Sequence, residues 1–244
     1  MNESGLPPES MAAMPAQGTP LARVQTLKWP TLVGALALGY VVFQLVSGAV
    51  QVVGLPTNAA VIALSTLLGE GTMVLIAWLM LSDALPWPVI GLGRRLDRGD
   101  LTWGAILIAL SLILDVLATV ILGMKDPRAQ VAWAGSLAQT PALIGLTAAA
   151  VGFAEEIVFR GYLLAGLRAM WPRLVPLWVV VVSALFTLAH LPWGLNAVQI
   201  GVFFLSWLAV TVVTAWRRSL YPAILAHIVE DVIAMTSMAA LAHH

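Results

Sequence analysis

Residues 152–160 read Gly-Phe-Ala-Glu-Glu-Ile-Val-Phe-Arg, so two adjacent carboxylates and an arginine follow a run, Pro141 through Val151, that carries no charge at all. Ionised groups that deep in an apolar stretch need partners or a function, because hydrocarbon does not solvate them. On a helix, Glu156 and Arg160 lie four apart on one face and can form an ion pair, whereas Glu155 is turned about 100° onto another face. Glu156 is thus expected to be the structural partner that makes Arg160 tolerable at depth, and Glu155 to point into a cavity as a base or ligand. Further on, His190 ends the run Phe186-Thr187-Leu188-Ala189-His190, and His227 and Asp231 share a face at i, i+4. A carboxylate, two imidazoles and a second carboxylate converging in lipid must satisfy one another.

Two chemistries suit this set. In one, Glu155 and His190 hold and deprotonate a water while His227, oriented by Asp231, stabilises the oxyanion of an attacked peptide carbonyl, and no cofactor is required. In the other, Glu155, His190 and His227 ligate a divalent metal such as zinc that keeps a position open for water. The His-Glu-x-x-His signature of soluble zinc proteases and the Gly-x-Ser-x-Gly nucleophile elbow are both absent, as is any serine–histidine or paired-aspartate pattern of other intramembrane proteases.

The elements that carry these residues follow from composition. Hydrophobic residues make up 60% of the 244 positions and charged residues 10%, and mean hydropathy is +0.93, values that belong to an all-α polytopic membrane protein and not to a water-soluble chain. Apolar segments at 29–53, 57–81, 101–123, 140–165, 174–195, 197–216 and 219–241 predict about seven transmembrane helices, with six to eight as the range and a polar cavity formed by the last four. Residues 1–28 are expected to be a disordered tail without a signal-peptide core, 29–139 the N-terminal transmembrane helices, and 140–241 the catalytic part. Zero net charge and a lack of any basic face exclude nucleic acid as a partner, and the absence of cysteine excludes disulfides and thiolate chemistry.

Orientation follows from the basic residues. With the N-terminus inside, Arg23, Lys28, Arg94, Arg95, Arg98, Arg168, Arg173, Arg217 and Arg218 fall on the cytoplasmic side and only Lys125 and Arg128 outside. This predicts a multi-pass protein of the plasma (inner) membrane with a cytoplasmic N-terminus. The mixed-sign segment Arg94–Asp100 reads as a solvated loop at the headgroups. Depth is less even: counted from the span ends, His190 comes out deeper than Glu155, which predicts an interfacial helix and loop over 161–176 and a fifth span that starts nearer Trp178.

At these residues the sequence resembles the family of CAAX-prenyl proteases and bacteriocin-processing enzymes. The family pattern Glu-Glu-x-x-x-Arg is met by Glu155, Glu156 and Arg160, Phe-x-x-x-His by Phe186 and His190, and His-x-x-x-(Asn/Asp) by His227 and Asp231, over about residues 140–236. The third motif ends in aspartate where many eukaryotic members that act on prenylated proteins have asparagine, and the span count is one below the eight common in the family. The resemblance implies an intramembrane endopeptidase acting on a membrane-associated peptide or protein, with Glu155 and His190 activating water and His227 with Asp231 aiding the oxyanion. A silent scaffold or immunity-like member of the family is the alternative. A proton-coupled transporter using Glu70, Asp115 and the glutamate pair as a relay is the third reading.

Overall fold

The computed structural model describes residues 27–52, 58–121, 140–191 and 194–241. Most of the expected tail, and the loop holding Lys125 and Arg128, lie outside the described residues. Helices α1 (Trp29–Val52), α2 (Ala59–Leu81), α3 (Arg98–Val116), α4 (Pro141–Glu156), α5 (Ala165–Met170), α6 (Val175–Ala189), α7 (Ala197–Arg217) and α8 (Tyr221–Leu241) form an all-helical bundle. A π-helical turn, Leu117–Ile121, prolongs α3, and a π-helical segment, Ile157–Leu164, joins α4 to α5. Asn58 caps α2, and the pairs Asp97/Asp100 and Asn196/Gln199 form capping boxes at the starts of α3 and α7.

Six stretches are long and apolar enough to cross a membrane: Trp29–Ala49, Ala59–Leu81, Arg98–Val120, Pro141–Met170, Pro172–Ala189 and Ala197–Arg217. The seventh expected span is α8, which has membrane length but carries His227, Glu230 and Asp231 and packs against α3 and α4. Large apolar side chains such as Leu45, Leu79, Val120 and Leu188 face outward, as lipid contact requires, and the chain is an integral multi-pass membrane protein.

One core cluster gathers Leu32, Ala77, Leu81, Leu85, Ile90, Tyr162, Leu164, Val182 and Leu220, tying α1, α2, the 82–97 connection, the π segment, α6 and the start of α8 together. The 82–97 connection therefore dips into the bundle. Gly91 turns there with φ +94°, accepts a hydrogen bond from Leu220 N at 3.1 Å, and leaves no room for a Cβ, which would sit 3.0 Å from that same nitrogen. Its polar end is not a loosely solvated loop. Asp100 is wholly buried and is engaged by Arg94 and by Arg217 Nε at 3.2 Å, while Asp97 meets Arg94 at 2.7 Å and Arg217 at 3.0 Å.

Residues 161–176 depart from the expected interfacial helix and loop. The fourth span runs unbroken as a helical rod to Met170, turns over Trp171–Leu174, and α6 begins at Val175, ahead of Trp178. Glu155 stands fifteen residues before Met170 and His190 fifteen after Val175, so both lie about 22 Å from the same turn at 1.5 Å per residue. The depths match because the fourth helix is longer than expected, not because the fifth starts late.

Candidate active site

The site is set by a close crossing of α4 and α8. A Cβ on Gly152 would lie 2.9 Å from Ile228 Cγ1 and 3.0 Å from Ile228 N, so only glycine lets the two backbones approach this far. One turn along α4 the carboxylates of Glu155 and Glu156 reach opposite sides of the His227 ring. Glu155 Oε2 is 3.9 Å from His227 Nε2 and 3.7 Å from His190 Nε2. Glu156 Oε1 is 3.0 Å from His227 Nδ1 and accepts a hydrogen bond from Arg160 Nη1 at 2.9 Å.

The expected Glu156–Arg160 pair is present, with both side chains fully buried. It is supported on the far side as well: Arg160 Nε donates to Thr211 Oγ1 at 3.3 Å, and its guanidinium lies 4.0 Å from the Phe186 ring centroid and 4.8 Å from that of Trp207. The π-helical backbone accommodates this load. Seven of its eight residues, Arg160 and Tyr162 among them, are buried, and such widened turns recur where a helix must present bulky interior groups.

The expected orientation of His227 by Asp231 is met by an ion-pair separation and not by a hydrogen bond. Asp231 Oδ2 stands 3.7 Å from Nε2, on the side facing Glu155, beyond hydrogen-bond distance. The hydrogen bond on the ring is to Glu156, through Nδ1. Sequence reasoning missed this because α4 and α8 are far apart in the chain and nothing in either motif encodes their crossing; Gly152 was the available signal.

His190 caps the C-terminus of α6, and its Nδ1 donates to Phe186 O at 2.7 Å, which turns Nε2 toward Glu155. Its ring is walled by Phe186 and Phe203, with centroids at 4.6 and 4.9 Å. Three helices thus bring Glu155, His190 and His227 to one point, with Asp231 at its edge. Among these, Glu155 and Asp231 keep 16% side-chain exposure, whereas Glu156 has none, so the first two face the cleft and the last is interior.

Glu70 also belongs to the wall of this site. Ala63 of α2 packs with Ala148 of α4, and seven residues further along each helix come Glu70 and Glu155, two turns on and on the same faces. Glu70 is buried, and Glu155, His227 and Asp231 are the charged groups acting on it. Its place between Gly69 and Gly71 in an apolar span was the visible signal. Glu230, next to Asp231, instead bonds Ser111 and feels Asp115 of α3. Gln199 serves the α7 cap and Gln44 bonds the Tyr40 hydroxyl.

A metal held by Glu155, His190 and His227 would sit about 2.0–2.1 Å from each donor, which puts tetrahedral donors about 3.3–3.4 Å apart. The separations of 3.7 and 3.9 Å exceed that, and no group of three or more carboxylate or imidazole side chains among the described residues is arranged to hold an ion. The donor set as it stands does not fit a metal. It does fit a water hydrogen-bonded at about 2.8 Å to both partners of either pair.

Residues 137–233 match the family model described as type II CAAX prenyl endopeptidase Rce1-like. Searches of curated proteins and of solved structures returned no match. The matched segment, less than half of the chain, holds the Glu155, His190, His227 and Asp231 constellation entire, and it is over this segment that the chain is similar to the CAAX-protease family.

Proposed function

We propose that this protein is an intramembrane endopeptidase that hydrolyses a peptide bond in or beside the bilayer, using water activated by Glu155 and His190. The observation that carries the reading is the placement of Glu155 Oε2 at 3.7 Å from His190 Nε2 and 3.9 Å from His227 Nε2, a gap that one water bridges. His190, with its proton on Nδ1, offers the Nε2 lone pair to that water. Glu155 takes the water proton as the oxygen adds to the carbonyl carbon. The resulting oxyanion is stabilised by a proton on His227 Nε2, the ring being held by Glu156. When the C–N bond breaks, the amine nitrogen receives the proton from Glu155, and the site returns to its starting state.

The substrate is a membrane-associated peptide or protein reaching the cleft at Glu155. The arginine-bearing end of the bundle, where Arg94 and Arg217 surround Asp100 and Arg168 reaches Ala215 O at 3.5 Å, is the cytoplasmic end, in keeping with the charge bias of the sequence. Cleavage of a lipid-anchored peptide by purified protein tests the reading. Wild type is expected to cleave with or without a chelator, and His190→Ala to lose cleavage. Activity that survives His190→Ala, or that a chelator abolishes, contradicts the water mechanism; no cleavage by wild type of any anchored peptide favours the silent-scaffold alternative.

A further inference from the structure

A second polar feature lies on the other side of the Glu156–Arg160 pair. A narrow crevice of about 10 Å³, open at the surface, is lined by Arg160, Arg168 and Arg218 together with Thr214, Ser219 and Gly91, and no carboxylate lines it. Elsewhere at this end Arg94 and Arg217 are neutralised, sharing Asp97 and Asp100. Arg168 and Arg218 are not. The Arg168 side chain has one polar contact, to the Ala215 carbonyl, and Arg218, whose backbone N–H donates to Thr214 O at 2.9 Å, has no side-chain hydrogen bond or ion pair among the described residues.

Three further observations point the same way. Arg160 is 1% exposed; Nη1 and Nε are bonded, and Nη2 is the nitrogen of this guanidinium that has no partner. A buried donor left unbonded costs free energy unless a ligand meets it. Arg218 is also held at φ 54°, a left-handed backbone uncommon for a side-chain-bearing residue. The start of α8, a 21-residue helix whose N-terminal dipole favours negative charge, opens beside Ser219.

We infer that the mouth of this crevice is a binding site for a phosphate-bearing anion, held by Arg168 and Arg218 at the membrane face with Arg160 behind them. Guanidinium groups match phosphate oxygens in geometry and charge, and at a membrane surface the abundant carrier of such a group is an anionic phospholipid headgroup. The occupant steadies Arg160 and, through Glu156, the His227 ring. This last consequence rests on the protease reading above; binding itself does not.

The test uses the full chain in detergent, with thermal unfolding followed at increasing sodium phosphate against sodium chloride of equal ionic strength, and separately at increasing short-chain phosphatidylglycerol against phosphatidylcholine. Phosphate and phosphatidylglycerol are expected to raise the unfolding midpoint and phosphatidylcholine to leave it unchanged. Saturation by phosphatidylglycerol at a concentration at least ~10-fold lower than by phosphate identifies the lipid as the source; equal concentrations identify the free anion. Replacing both Arg168→Gln and Arg218→Gln is expected to raise the half-saturating concentration at least ~10-fold. Replacing Arg95→Gln and Arg98→Gln, exposed arginines outside the crevice, leaves it unchanged. Should the double variant fail to fold, the exposed Arg218→Gln alone is expected to weaken binding at least ~3-fold.

Equal affinity in the crevice variants and wild type overturns the site, as does an equal loss in the Arg95/Arg98 control. Displacement of phosphatidylglycerol by a peptide with a free terminal carboxylate, and not by its amide, overturns the phosphate assignment in favour of a substrate end. In cleavage assays, phosphatidylglycerol raises kcat and not KM in wild type alone. Binding without cleavage in any lipid leaves the anion site standing and removes the protease reading.

Discussion

Glu156 Oε1 lies 3.0 Å from His227 Nδ1 and, from the same oxygen, 2.9 Å from Arg160 Nη1, so a single buried carboxylate both neutralises the arginine and fixes the imidazole. The neighbouring Glu155 approaches the opposite nitrogen of the same ring. Adjacent glutamates therefore face His227 from two sides, Glu156 at hydrogen-bond distance and Glu155 across a gap of 3.9 Å.

Glu156→Ala strands Arg160 without its counter-charge, and breaking a buried pair from one side costs about 3–5 kcal/mol. The variant is expected to accumulate poorly in membranes and to unfold at a lower temperature than wild type. Glu156→Gln retains an acceptor oxygen and is expected to lose less stability, about 1–3 kcal/mol, while releasing the His227 ring and lowering activity. Normal stability in Glu156→Ala contradicts the bridging role.

Gly152→Ala inserts a methyl where Ile228 Cγ1 and N stand 2.9 and 3.0 Å away. Pushing α4 from α8 is expected to cost about 1–3 kcal/mol and to lower cleavage by separating Glu155 and Glu156 from His227. Gly145→Ala, on the same helix with nothing within 4 Å of the added carbon, is the control and is expected to keep wild-type stability and activity. Equal behaviour of the two variants contradicts a site set by this crossing.

The three motifs were legible in the sequence because each is short-range: Glu156 and Arg160 are one helical turn apart, and His190 and His227 each occupy one apolar helix. What joins them was not. The contact of Glu156 with His227 depends on how closely α4 and α8 cross, and the level of Glu70 depends on the packing of Ala63 against Ala148. The fourth helix is longer than the span expected over 140–165, from whose end His190 comes out too deep; the rod carries Arg168 to the α7 end and turns only at Trp171. The π segment has no sequence signature, since its widened backbone answers to the burial of Arg160 and Tyr162.

The polar end of α3 and α7 has a pH dependence of defined sign. The hydrogen bond from Arg94 holds the Asp97 carboxyl below its ordinary value of 3.8. A depressed acid contributes stability above its unfolded pKa that is lost as pH falls through the folded one. The contact of Trp103 with Trp216, edge-to-face at 5.3 Å between α3 and α7, is thus expected to hold from neutral pH down to about 3.8 and to loosen only below it. The fluorescence difference between wild type and Trp216→Phe reads this directly, and a transition centred near neutral pH contradicts it.

The central claim is that Glu155 performs the chemistry and Glu156 supports it. The direct measurement is the cleavage rate of an anchored peptide by purified, reconstituted wild type and Glu155→Gln, with the thermal midpoint of each recorded alongside. The account predicts a loss of about 10²–10⁴-fold in rate with the midpoint lowered less than in Glu156→Ala, since Glu155 faces the cleft and stands 3.7 and 3.9 Å from its histidine partners, beyond hydrogen-bond distance. A Glu155→Gln enzyme that cleaves at the wild-type rate contradicts it.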